Sequence, residues 1–342
     1  MEDLLRSMLR LPWELSRLGL RQLGAERPAW RELENKLDAF GRFRASAAAG
    51  PLPTRGAALA AALQPALARE PWDRLWSLEG LGQALGDSAW DEGSLAGLLC
   101  APMAPEVLLP LHTGVGISLA GRAVEAAGRD GEVSEILPAF AGLCERTARP
   151  GCAAAVFEAL GLAARTLRPE RVPELDRMLL GMGEEPRSLF WHGVGRGLYF
   201  VPTNAMPASA PGERALDKAL AEAPDEPARR QVLGGLVWAL TLVNFRDPGV
   251  LEDFLKAFGP GPSQGEVFAH GVSMGATVWA LSNGEDAVLE RFLRHEPCPA
   301  VREVWSRVVS RPCKRALRET VPRVRQEGRC GALFLFRREA AA

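Results

Sequence analysis

Apolar residues recur at helical spacing along most of the chain, in runs of two or three turns separated by polar, Gly or Pro breaks. Two runs are explicit: Val250, Leu251, Phe254 and Leu255, and then Val288, Leu289, Phe292 and Leu293. Asp247-Pro248 precedes the first and Asn283-Gly284-Glu285 the second, so cap-like residues stand where each helix should start. The pattern predicts amphipathic helices over Pro173 to Met182, Glu213 to Ala221, Pro248 to Phe258 and Glu285 to His295. Between them lie more uniformly apolar, Ala-rich helices, each opened by a short glycine phrase.

That phrase recurs. It reads Glu79-Gly80-Leu81-Gly82, Thr113-Gly114-Val115-Gly116, Glu158-Ala159-Leu160-Gly161, His192-Gly193-Val194-Gly195 and His270-Gly271-Val272-Ser273, with a copy out of step at Leu233-Gly234-Gly235-Leu236. Its spacing is 34 to 45 residues, the period of helix-pair repeats. The expected fold is all-α, an α-solenoid-like array of degenerate helix-pair repeats of the HEAT/TPR kind over residues 56–300. Residues 1–55 form N-terminal amphipathic helices and a linker, and residues 301–342 a basic helical region. Within the first segment Pro28 opens the second helix near Trp30. Ala48 to Arg55 reads as the linker, and Val201 to Pro211 as a lid-like or binding loop that interrupts one repeat.

Gly inside a helix costs about 1 kcal/mol against Ala, so its recurrence needs a reason. Close helix packing supplies one. A phosphate-cradling loop is poorly supported, because Gly193-Val194-Gly195-Arg196-Gly197 has no preceding βαβ unit and lacks the third Gly at dinucleotide-binding spacing.

With 342 residues, 47% of them hydrophobic and 24% charged, the composition is that of a folded chain rather than a disordered one. A net charge of -1 removes the simplest case for nucleic-acid binding. Basic residues gather locally near the C-terminus, at Arg311, Lys314, Arg315, Arg323 and Arg325. These suit a solvated helix face, an acidic partner or a membrane surface. The six cysteines form no CxxC pair and read as reduced, mostly buried thiols. The most apolar stretch, Val232 to Val243, is too short to span a bilayer, and Glu2 and Asp3 do not open a signal peptide. The expected location is cytoplasmic, with a peripheral membrane association left open.

The residue just before each glycine is the sharpest chemical signal: His112, His192 and His270 share that position with Glu79 and Glu158. Equivalent positions of a solenoid stack along one surface. A His and carboxylate row is capable of holding a metal, of acid-base work, or of plain hydrogen bonding at helix starts. Helix layers about 10 Å apart place the members too far apart for one metal unless the array curls tightly, so no metal site is assigned. Arg196 lies one turn beyond His192 and, if buried, needs a carboxylate, Glu158 or Glu79. Its alternative role is binding an anionic substrate. No Gly-x-Ser-x-Gly elbow or other catalytic signature is present, and no cofactor is indicated.

These phrases, in order, resemble an uncharacterised bacterial family that accompanies enediyne polyketide gene clusters. The resemblance is carried by Glu79-Gly80-Leu81-Gly82 with Asp91, by Gly114-Val115-Gly116, and by Gly193-Val194-Gly195-Arg196-Gly197-Leu198-Tyr199-Phe200. Leu216 to Ala239, Gly271, Leu18-Gly19-Leu20 and Leu33-Glu34 keep its order. Departures are Gly161-Leu162-Ala163 in place of a Gly-Phe-His phrase, and His192 and His270 where the family has Gln. The resemblance implies an accessory role in secondary metabolism, with partners that include a membrane redox protein and an FG-GAP-like protein, and it implies no reaction. Three functions follow as expectations: a scaffold for a biosynthetic partner protein, a carrier of a hydrophobic polyketide-like intermediate, or an enzyme using the His/Glu/Arg row.

Overall fold

The computed structural model describes residues 28–48, 52, 56–88, 92–126, 133–201 and 210–337, and every regular element among them is helical. The first of the two N-terminal helices, most of the linker and residues 202–209 of the loop lie outside the described residues. Six long helices carry the glycine phrases: α3 (Pro71–Asp87), α5 (Pro105–Ala126), α7 (Ala153–Leu167), α9 (Glu184–Phe200), α11 (Glu226–Val243) and α13 (Pro262–Asn283). Each packs along the next, and α13 returns to touch α5 and α3, so their order closes on itself.

Shorter amphipathic helices alternate with them: α4 (Glu92–Leu99), α6 (Val133–Thr147), α8 (Val172–Met182), α10 (Glu213–Glu222), α12 (Pro248–Phe258) and α14 (Ala287–Leu293). These lie on the long helices and on one another, as α8 does on α9 and α6. α1 (Pro28–Ala47) packs on α3, α11 and α12, and α2 (Gly56–Leu67) on α3. After α15 (Arg302–Trp305), a π turn at Ser306–Ser310 leads into α16 (Arg311–Glu327), which lies against α13.

The capping residues differ from the sequence reading. Asp286 rather than the Asn283-Gly284-Glu285 phrase caps α14, its carboxylate accepting from Leu289 N at 2.8 Å. Gly284 instead ends α13 with φ 75°. Asp247 makes no side-chain cap, because its carboxylate accepts from Asn35 at 2.9 Å and so fastens α1 to the start of α12.

The glycines are where the long helices touch. A Cβ on Gly114 would collide with the carbonyl oxygen of Glu79, on Gly161 with that of Phe190, on Gly193 with that of Glu158, and on Gly235 with that of His192. Successive helices therefore meet backbone to backbone. That contact repays the helix-propensity cost of glycine with dense van der Waals packing. α5 alone among the described helices is long and apolar enough to cross a membrane, but 72% of that stretch is buried within the protein. Its apolar surface is satisfied by its neighbours in the closed ring.

Candidate functional site

Ring closure alters the geometry expected of the pre-glycine row. Glu79 on α3, Glu158 on α7, and His192 and Arg196 on α9 are 0 to 6% exposed and meet at the centre. His192 Nδ1 lies 2.9 Å from Glu158 Oε1, and Arg196 Nη1 donates to Glu158 Oε2 at 3.0 Å. Arg196 Nη2 donates to Glu79, 117 residues away in sequence. The six helices close into a ring, and three members of the row, Glu79, Glu158 and His192, gather around Arg196 although an open array with layers about 10 Å apart would hold them separate. His192 and Arg196 are one turn apart on α9, so both reach the same carboxylate.

Two carboxylates share one guanidinium, and their environments divide them. Burial pushes Glu79 above the usual carboxylate range against the pull of Arg196, and the nearby Glu158 adds to the rise. Burial acts on Glu158 in the same sense, but Arg196 and the His192 hydrogen bond outweigh it and hold Glu158 below that range. Arg196 loses hydration, yet the two glutamates keep it firmly charged. Its guanidinium lies 5.1 Å from the Trp238 ring, a favourable cation–π distance. Its Nε has no partner.

Two members of the row stay outside this network. His112 bridges backbone groups: Nδ1 is 2.6 Å from Leu108 O, and Nε2 accepts from Arg149 N at 3.1 Å. The carbonyl partner fixes the proton on Nδ1. His270 stands against the Phe336 ring, 5.7 Å between centroids, and its Nε2 is shut from solvent without a partner. Neither histidine hydrogen-bonds to Glu79, Glu158 or Arg196.

Burial pulls His112 down to about 4, with the Arg149 charge lowering it and the Leu108 carbonyl opposing. A folded-state value below the unfolded one means that protonation favours unfolding. The contribution of neutral His112 is thus complete above about pH 6.5 and is lost as the pH falls toward 4. We expect the parent to lose about 2 kcal/mol through this group between pH 7 and pH 5. His112→Gln should lessen that acid sensitivity in urea titrations at the two pH values. An unchanged pH dependence in the variant would refute the assignment.

Several participants are invisible to the repeat pattern. Phe334, after a short turn at Gly331–Leu333, covers the cluster, with ring centroids 5.4 Å from His192 and 6.1 Å from Trp238. Gln231 holds the next residues in place by exchanging hydrogen bonds with the backbone N and O of Phe336 at 3.2 and 2.9 Å. A second buried network joins Arg187, Asp176 and Trp191, with Arg187 Nε and Trp191 Nε1 both donating to Asp176 Oδ1 at 2.6 Å. A third docks α1: Lys36 pairs with Glu32 at 2.9 Å, and its ammonium lies 3.9 Å from the Tyr199 ring centroid. Asn244 Nδ2 donates to the Tyr199 hydroxyl at 2.8 Å. The single tyrosine was the only compositional hint of that network.

A void of about 10 Å³ beside Glu79, between Trp76, Leu109, Thr113 and Trp238, matches at most one water. Pockets that enclose small organic ligands are typically about 300–1,000 Å³. Among the described residues no group of three or more His, Cys, Asp or Glu is placed to hold a metal ion. No family model, curated protein or solved structure matches the chain.

Proposed function

We propose that this protein is a non-catalytic helical-repeat scaffold that binds an acidic partner protein through its C-terminal helix. The observation that carries the reading is a basic stripe. Arg307, Arg311, Lys314, Arg315 and Arg318 are all exposed, and the helical period puts them on one side of the π turn and α16. Cys313, Ala316 and Val324 are buried on the other side of the helix. Clustered cations on a rigid helix steer and orient an oppositely charged protein.

The central cluster supports the same reading as a structural hub. Its charges are turned on one another, and the neighbouring void is small. In the secondary-metabolism setting implied by the sequence resemblance, the partner is a biosynthetic protein encoded beside this one. The test is copurification with such neighbours, followed by calorimetry with the double variant Arg311→Glu, Arg315→Glu. The parent complex should weaken with salt as exposed charges are screened, and the variant should lose at least about tenfold in affinity, about 1.4 kcal/mol, with unchanged circular dichroism. Equal affinity in parent and variant would overturn the proposal.

A second reading, an enzyme that uses the cluster, is favoured by the meeting of His192, Glu158, Arg196 and Glu79 itself. It predicts a reaction that Glu158→Gln abolishes while the fold persists.

A further inference from the structure

We infer that Cys152 and Cys330 are a redox modification site that closes to a disulfide and fastens the C-terminal segment over the central cluster. This inference is independent of the partner-binding reading. The two sulfurs are 3.5 Å apart although 178 residues separate the cysteines. Their backbones are already joined, Cys330 N donating to Gly151 O at 2.9 Å. Gly151, at φ 86°, lies so close to Gly328 that a Cβ would stand 2.5 Å from its carbonyl oxygen. The two strips of chain are thus held side by side. Bringing the sulfurs to the bond length of about 2.05 Å takes a shift of about 1.5 Å, within reach of side-chain rotation.

The chemistry of the pair is asymmetric. The hydrogen bond shared with Cys330 holds the Cys152 thiol below the usual range against burial, and Arg149 adds to the effect. The same bond, burial and the adjacent Cys152 push Cys330 up. Cys152 is accordingly the attacking thiolate and Cys330 the resolving thiol. Cys152 and Cys330 are 1% and 6% exposed, but the neighbouring Gly328 and Arg329 are exposed, so access requires this irregular stretch to lift. The Cys152 thiolate attacks one sulfur of a low-molecular-weight disulfide and expels one reagent thiolate. Cys330, losing its proton to solvent, then attacks the mixed disulfide and expels the second. One protein disulfide and two reagent thiols result, so electrons and atoms balance.

The consequence lies a few residues on. Phe334 and Phe336, which cover His192 and His270, follow Cys330 by four and six residues, so the bond would tether the cover at its root. The test is oxidation of the full chain with oxidised glutathione, read by thiol titration and peptide mapping. Two of the six free thiols should disappear, the intact mass should fall by two hydrogens, and one cross-linked peptide should contain Cys152 and Cys330. Hydrogen exchange across residues 331–336 should slow on oxidation and recover with reductant. Cys330→Ser should stop at a glutathione adduct on Cys152, and Cys152→Ala should show no cross-link at either position. Glutathione adducts on Cys100 alone, or a disulfide between any other pair, in the parent protein would overturn the inference without reliance on any variant.

Discussion

Replacing Arg196 with Met should destabilise the protein by about 3–5 kcal/mol, the usual cost of removing one partner from a buried ion pair. The guanidinium is 2% exposed and bridges Glu158 on α7 to Glu79 on α3. Without it Glu158 keeps only His192, and Glu79 loses the cation that holds it. Urea unfolding at pH 7 should show the midpoint falling with little change in slope.

The pH dependence carries the sign. In the parent, Glu158 titrates below its unfolded value, so its contribution is present above the ordinary carboxylate range and is lost as the pH falls through its lowered value. In Arg196→Met, burial is opposed at Glu158 by His192 alone and at Glu79 by no cation, so both carboxylates rise and protonation favours the folded state. The difference between variant and parent should therefore shrink from pH 7 to pH 5. Arg196→Met combined with Glu79→Gln and Glu158→Gln should recover much of the loss, since a neutral hydrogen-bonded cluster no longer holds an uncompensated charge. A single variant within about 1 kcal/mol of the parent, in the range of an exposed ion pair, would show that the cluster does not hold the ring together.

Gly193→Ala should cost about 3 kcal/mol or more, at the upper end of overpacking effects, despite the gain of about 1 kcal/mol in helix propensity. Its Cβ would enter the carbonyl oxygen of Glu158 and stand 3.0 Å from Leu162 N and 3.1 Å from Gly161 Cα. These are backbone atoms of the adjoining helix, so no rotamer change relieves the collision. α7 and α9 must separate, and that also stretches the His192 and Arg196 bonds to Glu158. Gly41→Ala provides the contrast. Gly41 is exposed within α1 with nothing within 4 Å of a built Cβ, so the same substitution should stabilise by up to about 1 kcal/mol. Shifts of opposite sign, the larger at Gly193, would be visible in one set of thermal melts. A neutral result at Gly193 would refute backbone contact as the reason for the glycine phrase.

The short amphipathic helices were legible because they rest on local rules, whereas the glycine phrases expected to open the long helices lie inside them, as at Glu79 in Pro71–Asp87 and His192 in Glu184–Phe200. The 3.6-residue period marked Pro248–Phe258 to the residue and α8 and α10 to within one. Capping was less legible: a side chain such as Asp247 chooses between its own helix and a distant Asn35 only once α1 is docked. The glycine phrase also announced close packing, since a repeated helical Gly has little other use. The pre-glycine position singled out Glu79, Glu158 and His192, and the one-turn offset added Arg196.

Which of them meet was decided by the tertiary path. An open array would have kept Glu79 and Arg196 apart, whereas return of α13 to α3 and α5 makes them partners. The same closure left His112 bridging a loop amide and His270 against Phe336, although both occupy the same repeat position. Phe334, Gln231 and the Cys152–Cys330 approach come from a tail whose local pattern says nothing about where it folds back. Sequence periodicity sets which face of each helix is apolar and where backbones can approach. Only the full set of packed helices sets which charges share an interior, because that depends on curvature summed over the whole chain.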